Sequence, residues 1–92
     1  MAANYVERVV DQLTEELDDC DEDLLRLYAL LVLVKGQDCT EEDVHNAWSL
    51  WRAMSNPTHS ALIPFNQLSA TTQALDTPYA EAIRVVAKAG AA

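Results

Sequence analysis

The run from Leu24 to Val34, L-L-R-L-Y-A-L-L-V-L-V, sets the tightest limit on what this chain can fold into. Wound as a helix, its apolar side chains point in nearly every direction, and a helix apolar all round is one that its neighbours cover. The Leu-rich start favours a helix over a buried strand for Leu30 to Val34. At about eleven residues, with Arg26 inside it, the run is too short to cross a bilayer. A chain of 92 residues with two Gly and three Pro makes one domain and not a turn-rich sandwich. The expectation is all-α: a compact single domain over residues 1–92, of about four main helices. A central helix from about Glu22 to Lys35 is stopped by Gly36.

The other helices arrange themselves around that one. Val6, Val9, Val10, Leu13 and Leu17 recur at three- and four-residue spacing, an amphipathic first helix. The acidic run Asp18 to Asp23 is unfavourable at the negative end of the first helix and favourable at the positive end of the second, so it marks the boundary. Thr40 starts a third helix, with Asp43 three residues on as a short capping box. Its apolar stripe is Val44, Ala47, Trp48, Trp51 and Met54, beside a polar stripe of His45, Ser49 and Arg52. Asn56-Pro57 ends it. Residues 57–66 form a proline-kinked irregular turn, in which Leu62, Ile63 and Phe65 are expected to plug the core from the side. Ser69 caps a short helix through Ala74. Thr77 caps the last helix, Pro78 opens it and Gly90 ends it. Tyr79, Ile83 and Val86 form its buried stripe, with Arg84 and Lys88 on the outer face.

Charge divides the chain in two. Of its net charge of −9, residues 1–43 hold 13 acids against 3 bases, and residues 44–92 hold 2 acids against 3 bases. Residues 1–38 therefore read as an acidic helical hairpin. No basic patch is present to neutralise phosphates, so direct nucleic-acid binding is not expected. The exposed acids Glu7, Asp11 and Glu15 are the candidate partner-binding face of the first helix, and the Tyr5, Val9 and Leu13 stripe could equally meet a second copy. Cys20 and Cys39, nineteen apart, match no compact zinc hairpin with the two histidines. No metal and no cofactor is expected. With no leader-like segment ahead of them, the cysteines read as reduced thiols of a cytoplasmic protein, in the host cytoplasm if the chain is phage-encoded.

The segment from His45 onward resembles the ryanodine-receptor (RyR) repeat domain over roughly residues 41–88. His45 and Trp48 match that family's His-x-x-Trp. His59, Leu62, Ile63, Pro64 and Phe65 match its His-Pro-x-Leu-Val-Pro-Tyr turn. Leu68 and Ser69 follow in place, and Asp76 falls where the family carries an Asp before its final helix. Ser60 stands for the first Pro, Phe65 for the Tyr, and the loop from Arg52 to His59 is much shorter. The chain as a whole resembles small uncharacterised proteins of actinobacteria and their phages. The resemblance to RyR repeats implies a regulatory, non-catalytic, ligand-sensing or interaction role for residues 39–90.

Spacings of three and four bring His45, Trp48 and Arg52 onto one side of the third helix. With His59 and Asp76 near, they form a candidate pocket for a small molecule or nucleotide, in which Arg beside an aromatic ring supplies an anion or nucleotide contact. The competing reading is structural: His45 bonds a carbonyl of the turn, Trp48 is core and Asp76 caps a helix. No nucleophile elbow, Gly-rich loop or paired-acid motif is present, so catalysis is not expected. The functional expectation is a small acidic interaction or regulatory module that binds a host or self protein partner. The alternative is a ligand-sensing domain built on the pocket.

Overall fold

A computed structural model describes residues 4–91. Its helices are α1 (Tyr5–Glu16), α2 (Glu22–Val34), α3 (Glu41–Ser55), α4 (Ala70–Ala74) and α5 (Thr77–Ala91), with 3-10 turns at Gly36–Asp38 and Phe65–Gln67. Four are long, α4 is a single short turn, and no strand occurs among the described residues. The all-α expectation of about four main helices holds.

Local chemistry explains most of the boundaries. The Asn4 side chain accepts from the Glu7 amide to start α1. Asp21 Oδ1 accepts from the amides of Asp23 and Leu24 to start α2. The turn between them passes through Asp19 at φ 58°, a left-handed conformation that short polar side chains tolerate better than most. Gly36, also at φ 58°, ends α2 for the reason expected of it. The capping box at α3 is complete: Asp43 N–H donates to Thr40 Oγ1 at 3.2 Å and Thr40 N–H to Asp43 Oδ2 at 3.0 Å. Ser69 caps α4 through the Thr72 amide.

Helix α2 is the hub, packed against α1, α3 and α5. Leu13, Tyr28, Val44 and Ile83, one from each long helix, are fully buried at the centre. Truncating Leu13 or Ile83 to Ala would cost about 2–5 kcal/mol.

Five expectations are corrected. Helix α2 is not covered all round: Leu30, Leu33 and Val34 stay exposed, because three neighbours cover only part of its circumference. Met54, on the α3 stripe by spacing, lies beyond the reach of the core and is exposed. The Asp76 carbonyl accepts from Ala80 N–H, so Asp76 stands at the N-cap position and Thr77 is already helical. Gly90 lies inside α5, which continues to Ala91. Leu62, Ile63 and Phe65 do not enter the core cluster; Ile63 is exposed, and the turn is held through its backbone instead. In addition, Arg84 is not on an outer face. Its guanidinium reaches across to the Cys39 carbonyl at 2.7 Å and to Glu41 at 3.5 Å.

Candidate functional site

Between the start of α2, the inner side of α3, the irregular turn and the start of α5 lies a cleft of about 620 Å³. His45, Trp48, Arg52, His59 and Asp76 all line it. The five residues singled out by sequence are thus brought to one place. A more open depression of about 530 Å³, lined by Glu41, Glu42 and Gln73 among others, gathers none of them.

Helix periodicity accounts for three of the five. His45, Trp48 and Arg52 share one side of α3 at spacings of three and four. His45 is buried, and its Nε2–H donates to the Ile63 carbonyl at 2.7 Å, with Ser49 Oγ at 3.3 Å. A carbonyl can only accept, so this contact puts a proton on Nε2. The structural reading of His45 is correct, and it explains how an irregular turn is fixed against α3. Gln73 Nε2 holds the same turn from α4, donating to the carbonyls of Phe65 and Leu68.

The turn then presents His59 to Trp48, edge to face, with ring centroids 5.2 Å apart. His59 Nδ1 accepts from the Ala61 amide at 3.0 Å, which leaves the ring proton on Nε2. Trp48 is also stacked near His45, with centroids 5.8 Å apart and planes 23° apart. Trp51 forms the outer wall. Its indole N–H donates to Asp21 Oδ1 at 3.1 Å, so the cap of α2 also clamps α3.

Arg52 lies between the two indoles, its guanidinium carbon 4.5 Å from the Trp51 ring centroid and 5.9 Å from that of Trp48. Its Nε is buried and has no hydrogen-bond partner, alone in this among the described residues. A buried donor without an acceptor costs about 1–3 kcal/mol. Asp76, in the lining of the same cleft, makes no ion pair among the described residues. Desolvation raises its carboxyl above the ordinary carboxylate range, partly offset by His45, while Glu41 adds a smaller push upward. The cleft therefore offers an unused donor and an underpartnered carboxyl, set among aromatic rings.

Sequence reasoning missed Asp21, Tyr28 and Tyr79 as cleft residues. The Tyr28 and Tyr79 rings lie 5.5 Å apart, and burial pushes the Tyr28 hydroxyl pKa up. Each had a sufficient local explanation, as helix cap or core stripe, and nothing in the spacing brings three separate helices together. The candidate partner face on α1 is apart from the cleft. Glu7 is engaged with Arg26 of α2 at 3.3 Å, whereas Asp11 and Glu15 are exposed. No group of three His, Cys, Asp or Glu is placed to hold a metal ion among the described residues. None of their helices is long and apolar enough to cross a membrane.

Fold and cleft together define a small all-α domain with an aromatic-walled cleft. Residues 2–88 match a domain of unknown function, DUF7701, and the chain belongs to that family. No curated protein and no solved structure matches it.

Proposed function

We propose that this protein is a non-enzymatic binding module whose cleft takes a small planar molecule. The observation that carries this reading is the buried, unpartnered Arg52 Nε among aromatic walls. Buried donors almost always have a partner, and a ligand acceptor supplies one here. Asp76, which lines the same cleft, accepts a hydrogen bond from the same ligand.

The charge of the cleft narrows the ligand. Asp19, Asp21 and Asp76 line it against the single cation Arg52 and two histidines. Three carboxylates repel a polyphosphate. A neutral heterocycle with a donor and an acceptor on one edge, the chemistry of a nucleobase or nucleoside, suits it better. The resemblance of His45, Trp48 and the Leu62 to Phe65 turn to RyR repeats supports a sensing role. In that role the protein works in a reducing cytoplasm, with Cys20 and Cys39 as free thiols.

Both tryptophans of the chain, Trp48 and Trp51, line the cleft, so tryptophan fluorescence, excited selectively over tyrosine, reports on this site alone. Titration with nucleosides is expected to give saturable quenching that Arg52→Ala and Asp76→Asn each weaken at least tenfold. Nucleoside triphosphates should bind less tightly than the matching nucleosides. Absence of saturable quenching by any purine or pyrimidine nucleoside at millimolar concentration would overturn the proposal.

A second reading rests on the exposure of Asp11 and Glu15 on α1. These acids suit a basic patch on a host or self protein. Binding there would weaken with added salt and vanish in Asp11→Lys with Glu15→Lys, while nucleoside quenching stayed intact.

A further inference from the structure

The cleft has a second polar centre besides Arg52, built by α2 and the start of α5. Tyr28 belongs to the hub helix and is only 1 % exposed, yet it lines the cleft. Asp76 stands at the N-cap position of α5, and the Tyr79 ring, three residues on, has its centroid 5.5 Å from that of Tyr28. Neither the Tyr28 hydroxyl nor the Asp76 carboxyl hydrogen-bonds to another described residue. Buried tyrosine hydroxyls usually find a partner. The Tyr28 oxygen is not sealed in the interior as Arg52 Nε is, so it opens onto the cleft. Cys20, Tyr79 and Asp76 are the groups whose charge acts on this hydroxyl, and Arg52 is not among them. The two centres thus serve different parts of a ligand.

Chemistry narrows what the second centre takes. A carboxylate only accepts, and its two oxygens suit two neighbouring O–H donors. A phenol donates and accepts, as an alcohol does. A ligand cation is disfavoured, because the Arg52 guanidinium already lies over both indole rings and like charges repel. A phosphate is disfavoured by Asp19, Asp21 and Asp76. A neutral pair of vicinal hydroxyls meets every one of these limits. The cleft, at about 620 Å³, falls in the size range of sites that enclose ligands larger than a single ring system.

We infer that the ligand is a ribonucleoside whose 2′- and 3′-hydroxyls are held by Asp76 and Tyr28. This rests on the reading of the cleft as a nucleoside site, with the base taken by Arg52 and the indoles. A nucleoside without the diol leaves the carboxylate and the phenol as unpaired as they are in the empty cleft.

Tryptophan fluorescence titration of the full chain tests this, with adenosine, guanosine, cytidine and uridine each set beside its 2′,3′-dideoxy form. The ribonucleoside that binds is expected to exceed its dideoxy form in affinity by roughly tenfold or more, the worth of a hydrogen bond to a charged group. Tyr28→Phe, which keeps its ring in the core, and Asp76→Asn should each narrow that ratio. Arg52→Ala should weaken both forms and leave the ratio intact. Equal affinity of the two forms for the wild type, with Arg52→Ala still weakening both, overturns the diol contact and leaves the cleft's reading as a base site standing. A ratio that survives in both Tyr28→Phe and Asp76→Asn also overturns it. Absence of saturable quenching by all four ribonucleosides overturns this inference and the nucleoside reading together.

Discussion

His45 Nε2 lies 2.7 Å from the Ile63 carbonyl, and this one bond ties the irregular turn to α3. The turn carries His59 to the Trp48 ring. Loss of the bond therefore acts on the cleft as well as on stability. His45→Ala is expected to destabilise by about 1–3 kcal/mol, the cost of an unpaired buried group, read as a lower denaturant midpoint with an unchanged m-value. It should also lessen the response of Trp48 fluorescence to nucleosides. His45→Gln, which retains a donor, should recover part of both.

The capping box at α3 gives a cleaner stability prediction, because it lies away from the cleft. Thr40→Ala removes the acceptor for the Asp43 amide and should cost about 1 kcal/mol. Chemical denaturation should show that loss while nucleoside binding is unchanged.

These two predictions differ in how far sequence could reach them. The Thr40 and Asp43 pattern is local, so spacing alone located it, as it located Asp21 and Gly36 at the ends of α2. His45, Trp48 and Arg52 were legible for the same reason, being one side of one helix. His59 and Asp76 came from a resemblance in spacing. The convergence of Tyr28, Asp21 and Tyr79 on the same cleft depends on how α2, α3 and α5 pack, which no single period encodes. The error over α2 has the same origin. An all-round apolar helix predicts cover, but three neighbours do not close the circle, and Leu30, Leu33 and Val34 stay in water.

The two cysteines should differ in reactivity. Burial, with a further push from Asp43, raises the Cys39 thiol to about 11, and its side chain is enclosed. Cys20 is half-buried, and its thiol is raised first by desolvation and then by Asp21. Since the thiolate is the reactive form, a disulfide reagent at neutral pH should label Cys20 slowly. It should reach Cys39 only on unfolding. Mass spectrometry of the labelled peptides before and after denaturant reads this directly.

Asp76 should make the fold less stable as pH rises. Its folded carboxyl binds a proton more tightly than the unfolded one, chiefly through desolvation. Its stabilising contribution is thus fully present below the unfolded value of 3.8. That contribution is lost as pH rises through the higher folded value. Asp76→Asn, which cannot ionise, should match the wild type at the acid end of the transition. It should gain on the wild type as pH increases, then hold a constant advantage to neutrality. Urea midpoints of both proteins across that range give the difference curve. A carboxylate that weakens the fold yet lines the cleft is what a ligand contact requires, so the stabilised variant should also bind nucleoside more weakly.

The buried Arg52 Nε–H can be observed as its own resonance in a nitrogen-15 correlation spectrum of the full chain. Addition of the nucleoside that quenches best should move that peak and the Trp48 and Trp51 indole peaks together, saturably and with one dissociation constant. If the Arg52 Nε–H peak stays still while the nucleosides are titrated to millimolar concentration, the cleft does not bind by the contact proposed for it.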